Sequence, residues 1–444
     1  MLTRDLCMRG GFFVLIFLNN THNSATLATQ LYTIMTDATA AKATRNMIFL
    51  VLVASLGYFV DIYDLLIFSI VRVQSLKDIG VPGAELLAKG QFIINVQMFG
   101  LLLGGILWGI IGDKLGRIKV LFGSILLYSI ANFANGLVTD VNTYAIIRFI
   151  AGIGLAGELG AGITLVSETL SKEKRGYGTM IVAVIGLFGA VAAVNVAKYG
   201  WQRAYFVGGG LGILLLLLRI GTFESGMFKN VEQSKVSKGN MLILFTSWTR
   251  FKKYLFCILI GAPLWYVVGI LVTFSPEFGV ALHSKGTLSA GTGVLYTYIG
   301  ISVGDMFAGL LAQVTKSRKL TMAVFLLASV GSVVYYLRAF GLSSQQFVWI
   351  CFFMGCSVGY WATFVTIAAE QFGTNIRSTV TTTVPNFVRG ALIPITFAFN
   401  AFKINYGMIT SGYIMMGILT IIALLSLSQL KETFGKDLDY VEIS

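Results

Sequence analysis

Apolar residues run through this chain in twelve long stretches, near positions 46–72, 90–112, 120–139, 142–167, 177–197, 202–220, 254–275, 289–312, 320–339, 345–368, 380–402 and 408–428. A helix rises about 1.5 Å per residue, so roughly 20 such residues cross the ~30 Å hydrocarbon core of a bilayer. The stretches are continuously apolar rather than alternating, which argues against the strands of a membrane barrel. The pattern predicts an all-α polytopic membrane protein with twelve transmembrane helices. Polar segments between the stretches are short, apart from 221–252, and leave no sizeable soluble domain for separate catalysis. Residues 1–45 fall outside the pattern. Arg4 and Arg9 precede a short apolar run from Gly11 to Leu18, as at the start of a signal peptide. Cleavage there would place the next terminus outside and reverse the charge asymmetry described below. The segment is therefore read as a disordered tail, or as the product of an upstream start codon with Met35 opening the functional chain.

Composition sharpens the picture. Of 444 residues, 56% are hydrophobic and 12% charged, and the mean hydropathy is +0.80. A soluble domain carries about 25% charged residues. The net charge of +13 would suggest nucleic acid in a soluble protein; here its placement explains it better. With both termini cytoplasmic, the inner loops and tails hold 21 Lys and Arg residues and the outer loops eight. The positive-inside rule fixes that orientation, in the cell (inner) membrane, and no nucleic-acid partner is expected. Cys7, Cys257, Cys351 and Cys356 lack paired spacing in outer loops, and they form no metal-ligand pattern with His22 and His283. They read as packing residues, and neither a metal nor a cofactor is predicted.

The chain also repeats itself. The second run ends in Gly109-Ile-Ile-Gly-Asp113-Lys114-Leu-Gly116-Arg117-Ile-Lys119, and the eighth ends, 200 residues on, in Gly309-Leu-Leu-Ala-Gln313-Val-Thr-Lys316-Ser-Arg318-Lys319. Glu168 is followed seven residues later by Arg175, and 202 residues on Glu370 is followed seven later by Arg377. Two unrelated motifs sharing one offset indicate a duplicated six-helix unit. An even number of spans per half makes the halves a parallel repeat, 46–220 and 253–428, joined by the lysine-bearing linker 221–252 and followed by a cytoplasmic tail, 429–444.

Six plus six helices, Gly109-x3-Asp113-Lys114-x-Gly116-Arg117 after the second, and Arg148-x3-Gly152-x-Gly154-x2-Gly157-Glu158 in the fourth together resemble the major facilitator superfamily. The resemblance covers about residues 46 to 428 and implies two parallel six-helix bundles. Asp61-Ile-Tyr-Asp64 resembles the Asp-x-x-Asp signature of aromatic-acid and carboxylate proton symporters. Glu158 through Glu168 to Arg175-Gly176 is similar to metabolite and sugar symporters. The resemblance further implies a cytoplasmic gate, in which Asp113 pairs with a cation or a helix N-terminus of the opposite half. Gly109, Lys114, Gly116 and Arg117 share that gate, with Glu168–Arg175 and Glu370–Arg377 as companion ion pairs. Gln313 stands where the repeat predicts an acid, so the second lock leans on Lys316, Arg318 and Lys319.

Ionisable residues inside spans cost at least ~2.5–3.5 kcal/mol each, so each is a functional hypothesis. Asp61, Asp64, Glu158 and Asp305 are candidate proton carriers, and Arg148 is the natural counter-charge for the acids of span one and, with Arg389, a candidate to meet a substrate carboxylate. Glu158 alternatively clamps a neighbouring helix beside its glycines. Arg389 lies between Pro385 and Pro394 and has no counterpart near Leu187 to Gly189 in the first half. Its planar fork suits a substrate carboxylate; the alternative is a pair with Asp305 or Glu158. Asp305 also breaks the repeat, with Gly105 as its counterpart. Tyr58, Tyr63, Trp265, Tyr266, Tyr298, Tyr360 and Trp361 could line a cavity or merely pack.

These residues point to a secondary transporter, a monomer that imports a small organic anion or zwitterion together with protons by alternating access. Metabolite or drug export is the rival reading, but the proline of the superfamily's antiporter motif is missing from 177–197. An intramembrane enzyme lacks its nucleophile–base grouping, a Walker loop is absent, and a transport-deficient membrane sensor would lack an output domain. Asp113→Asn is expected to bias the protein toward one facing, read by cysteine-accessibility labelling and uptake. Unchanged labelling and uptake would remove Asp113 from the gate.

Overall fold

The computed structural model describes residues 24–158, 166, 170, 172–219 and 243–435. Residues up to Leu50 form one unit, which is helical from Ser24, and Val51–Ser444 form the other. The described elements are α1 (Ser24–Asp78), α2 (Leu86–Leu115), α3 (Arg117–Asn135), α4 (Val141–Leu155), α5 (Lys172–Ala197) and α6 (Trp201–Leu218). Beyond 242 come α7 (Trp248–Leu259), α8 (Ala262–Tyr266) running into a π-helical turn Val267–Val272, α9 (Ser275–Ala281), α10 (Ala290–Thr315) and α11 (Arg318–Arg338). The chain finishes with α12 (Ser344–Val358), α13 (Trp361–Gln371), α14 (Arg377–Gly390) and α15 (Leu392–Gln429). Each of the twelve apolar runs falls on one or more of these helices. Helix begins at Ser24, ahead of the predicted start at 46. Residues 1–23, most of the linker and the tail from 436 lie outside the described residues.

Among the described residues, eight helical stretches are long and apolar enough to cross a membrane, and Val141–Leu155 and Val184–Ala197 are shorter apolar helices. One of the eight, Thr379–Gln429, holds the last two runs, which bend into each other at Gly407 with φ +72°. The burial pattern inverts that of a soluble protein. Asp61, Arg148, Glu158, Asp305 and Arg389 are buried, while Leu107, Ile130, Leu214, Leu327, Phe397 and Leu425 face outward. In lipid, outward apolar side chains cost nothing and inward polar groups must satisfy one another.

Packing between spans rests on small residues, because apolar attraction between helices is weak when the solvent is itself apolar. A Cβ on Gly100 or Gly104 would lie 2.3 Å from Phe149 O and 2.5 Å from Ile153 O, so α2 meets α4 backbone to backbone. On the second half, Gly300 and Gly304 do the same against Phe352 O at 2.1 Å and Cys356 O at 2.3 Å. The two seams sit 200 residues apart, so the repeat is visible in packing as well as in sequence. Gly116 turns α2 into α3 at φ +98°, a conformation that accounts for glycine at this place in the loop motif.

The two halves meet along α2 with α14 and α5 with α10. Gly109 lies against the backbone of Thr379 and Gly105 against Asn386. Asn386 Nδ2 donates to Ala156 O at 2.8 Å, where α4 has just lost its regular bonding. At the end opposite Gly116, Arg72 of α1 reaches Glu277 of α9 at 3.4 Å and stacks on Phe274.

After α15 the chain folds back on the second half. Glu432 accepts from Ser317 Oγ at 2.5 Å and from the backbone N–H groups of Arg318 and Lys319 at 3.0 and 3.2 Å, capping α11 from outside it. Gln371 donates to Lys431 O at 2.9 Å, and Phe434 lies over Arg318. Partial burial works to raise the Glu432 pKa. The bonds from Ser317, Arg318, Phe434 and Lys319 outweigh it and hold the carboxyl at about 2. Because the native state lowers this pKa, the clasp contributes fully above the ordinary glutamate range and weakens as pH falls from there toward 2. Hydrogen exchange at Arg318 to Leu320, corrected for its intrinsic pH dependence, should stay protected from pH 7 to 5. Glu432→Gln should lower that protection throughout the range.

Candidate functional site

Asp61 on α1 and Arg389 at the end of α14 come from opposite halves and meet in the middle of the protein. Arg389 Nη2 donates to Asp61 Oδ2 at 3.3 Å and Nη1 donates to Asn386 Oδ1 at 3.3 Å, with both charged side chains fully buried. The guanidinium carbon lies 5.8 Å from the ring centre of Trp265 and 5.6 Å from that of Trp361, close enough for cation–π attraction. The two indoles meet edge to face at 6.3 Å. Tyr58, Ile62, Leu187, Leu264, Trp265, Tyr298, Ile301 and Trp361 enclose a small cavity next to this pair. Local breaks set the geometry. Helix α14 ends at Gly390 between Pro385 and Pro394, and α8 passes into a π-helical turn just after Trp265 and Tyr266. One oxygen of Asp61 and Nε of Arg389 have no hydrogen-bond partner. The pair is thus joined by a single hydrogen bond, unlike the two-bond contact of Glu158 with Arg219 described below.

A second charged group lies within the first half. Arg148 donates to Asp64 O at 3.0 Å and to Gln97 Oε1 at 3.2 Å, and it stacks on Tyr205. The Asp64 carboxylate is buried with the Asn132 side chain beside it. A third group is Glu158 with Arg219, a bidentate pair whose second contact, Arg219 Nη1 to Glu158 Oε2, is 3.0 Å. The side chains of both residues are 1% exposed. Asp305 on α10 accepts the N–H of Ala362 at 3.0 Å.

Several sequence expectations change here. Arg389 pairs with Asp61, where the sequence offered Asp305 or Glu158. Arg148 lies close to Asp64, but its hydrogen bonds go to the Asp64 carbonyl and to Gln97. Glu370, which sequence spacing couples to Arg377, accepts a forked arginine from α11, Arg318, at 2.7 and 2.8 Å. Arg377 donates to the carbonyls of Ala369 and Phe372, closing the turn before α14. Of the aromatic candidates, Tyr58, Trp265, Tyr298 and Trp361 converge on the cavity. Tyr266 is held by Gly412 O at 2.8 Å, Tyr63 by Ala204 O at 2.8 Å, and Tyr360 packs on Phe325. Lys114 is exposed. Glu168 and the side chains of Asp113, Arg117 and Arg175 lie outside the described residues. Sequence reasoning reaches Arg318 as part of the second lock but not its partner Glu370; it misses Gln97, Asn386 and Glu432, and it counts Arg219 as a loop cation because that residue ends a span.

The Major Facilitator Superfamily model matches residues 47–393, most of the chain. The chain belongs to this superfamily. Its fold is accordingly twelve transmembrane helices in two six-helix bundles, and it is a membrane transporter rather than an enzyme. A Bacillus subtilis (strain 168) protein provisionally named niacin/nicotinamide transporter NiaP is 26% identical over 403 residues, which span 87% of this chain and 96% of that protein. The sialic acid transporter NanX of Escherichia coli (strain K12) is 24% identical over 311 residues, 68% of this chain and 73% of that one. Among solved structures, the proton:xylose symporter XylE aligns with a TM-score of 0.66 at 16% identity, covering 89% of this chain and 98% of its own. That likeness speaks for the fold.

Removing one member of a buried pair strands the other, at a cost of about 3–5 kcal/mol. Arg219→Gln should therefore lower the melting temperature of the detergent-solubilised protein markedly. Adding Glu158→Gln should recover part of that loss, and a double variant no better than the single would separate the two residues energetically.

Proposed function

We propose that this superfamily member imports a small organic acid, or a zwitterion bearing a carboxylate, together with protons across the cell (inner) membrane. In this reading both termini are cytoplasmic, the bundles 46–220 and 253–428 rock about the solute, and the protein works as a monomer. The observation that carries it is the Asp61–Arg389 pair, which joins the two halves beside an aromatic cavity. A guanidinium stays charged in such a place and presents two parallel donors to a carboxylate. A solute carboxylate entering from outside takes those donors over from Asp61. The released Asp61 is then an unpaired buried carboxylate, and it takes a proton from the outer aqueous side rather than remain charged. Solute and proton leave together on the cytoplasmic side, and Asp61 returns to Arg389. Asp64 beside Arg148 is a second place for a proton in the same helix.

Niacin and sialic acid, named in two relatives, are both carboxylic acids, which supports an anion as the solute. Nicotinate and nicotinamide share a ring and differ in the charged group, so they test the reading directly. Thermal stabilisation of the purified protein should be greater with nicotinate than with nicotinamide. Arg389→Gln should abolish it, while Asp61→Asn should keep binding and lose stimulation of uptake by an inward proton gradient. Stabilisation by lipophilic cations alone, or nicotinate binding unchanged in Arg389→Gln, would overturn the anion reading.

A further inference from the structure

The tenth apolar run is not one helix. Helix α12 ends at Val358, Gly359 and Tyr360 leave helical geometry, and α13 starts afresh at Trp361. A new helix start frees up to four backbone N–H groups, and at membrane depth no bulk water is there to take them. Tyr360, the residue before the first turn, makes no capping bond with its own side chain. The acceptor comes from another span: Asp305 Oδ1 of α10 takes the Ala362 N–H at 3.0 Å. The approach is possible because Gly304 and Gly359 pack backbone to backbone; a Cβ on Gly359 would lie 2.5 Å from Gly304 Cα and 2.7 Å from Asp305 N.

Trp361 is both the first residue of α13 and the indole over Arg389. Whatever fixes the first turn of α13 therefore fixes one wall of the cavity. The charge of Asp305 is matched by the positive end of α13, with no cation required. We propose that Asp305 is a positioning residue: as the cap of α13 it aims Trp361 at Arg389, and it does not carry the transported proton. This rests on the anion-binding role given to Arg389 above, although the cap itself stands on geometry alone.

Asparagine can accept the same N–H bond but cannot be ionised, whereas alanine can do neither, so the two substitutions separate the roles. Hydrogen exchange at Trp361 and Ala362 in the full-length, detergent-solubilised protein reads the cap without any solute. Asp305→Ala should speed exchange there roughly ten-fold, as expected for loss of a bond to a charged group, and Asp305→Asn should restore most of the protection. With nicotinate as the probe, Asp305→Ala should weaken binding several-fold. Asp305→Asn should bind near wild type, with the pH profile of uptake unchanged. Exchange identical in all three proteins, or Asn behaving like Ala in both binding and pH profile, would overturn the assignment. Nicotinate failing to bind the wild-type protein, with the exchange pattern as expected, would instead count against the solute reading and leave the cap in place.

Discussion

Lipid offers an ion nothing to bind, so a charge at the depth of Asp61 or Arg389 must find its counter-charge inside the protein. Here the counter-charge lies on the other half of the molecule. That constraint ties the bundles together at the centre and draws aromatic rings in to shield the guanidinium. The other buried pairs, Glu158 with Arg219 and Glu370 with Arg318, each stay within one half. Their geometry suits fixed bracing, whereas the central pair is less completely bonded.

Duplication explains the scaffold and not the site. The glycine seams at Gly100/Gly104 and Gly300/Gly304 repeat faithfully, because any bundle of this design must bring those spans together. Arg389 and Asp305 have no counterparts at the matching positions of the first half. Two copies of one framework are thus unlike each other at these two buried charges.

Axial position was legible in the sequence; azimuth was not. Apolar runs, charge placement and a 200-residue offset gave twelve helices, two halves and the unusual character of Asp61, Asp305 and Arg389. Partner choice depends on which way each helix is rotated and which neighbour it faces, and the linear pattern carries little of that. Arg219 shows the difficulty. At the end of a span it looked like an ordinary loop cation, yet its side chain turns inward to Glu158. The break at Gly359 and Tyr360 was similarly hidden, because uninterrupted hydrophobicity reads as uninterrupted helix. The sequence did point to the bend around Arg389, since two prolines flank it.

Gly407 joins the last two spans with one non-helical residue and no loop between them. The φ of +72° is one that residues with a side chain rarely adopt, so the bend depends on glycine at this place. The last span packs along α11. The first turn of α11 is in turn held by Glu432. The last span is therefore fixed at both ends, by the bend at Gly407 before it and by the Glu432 clasp after it.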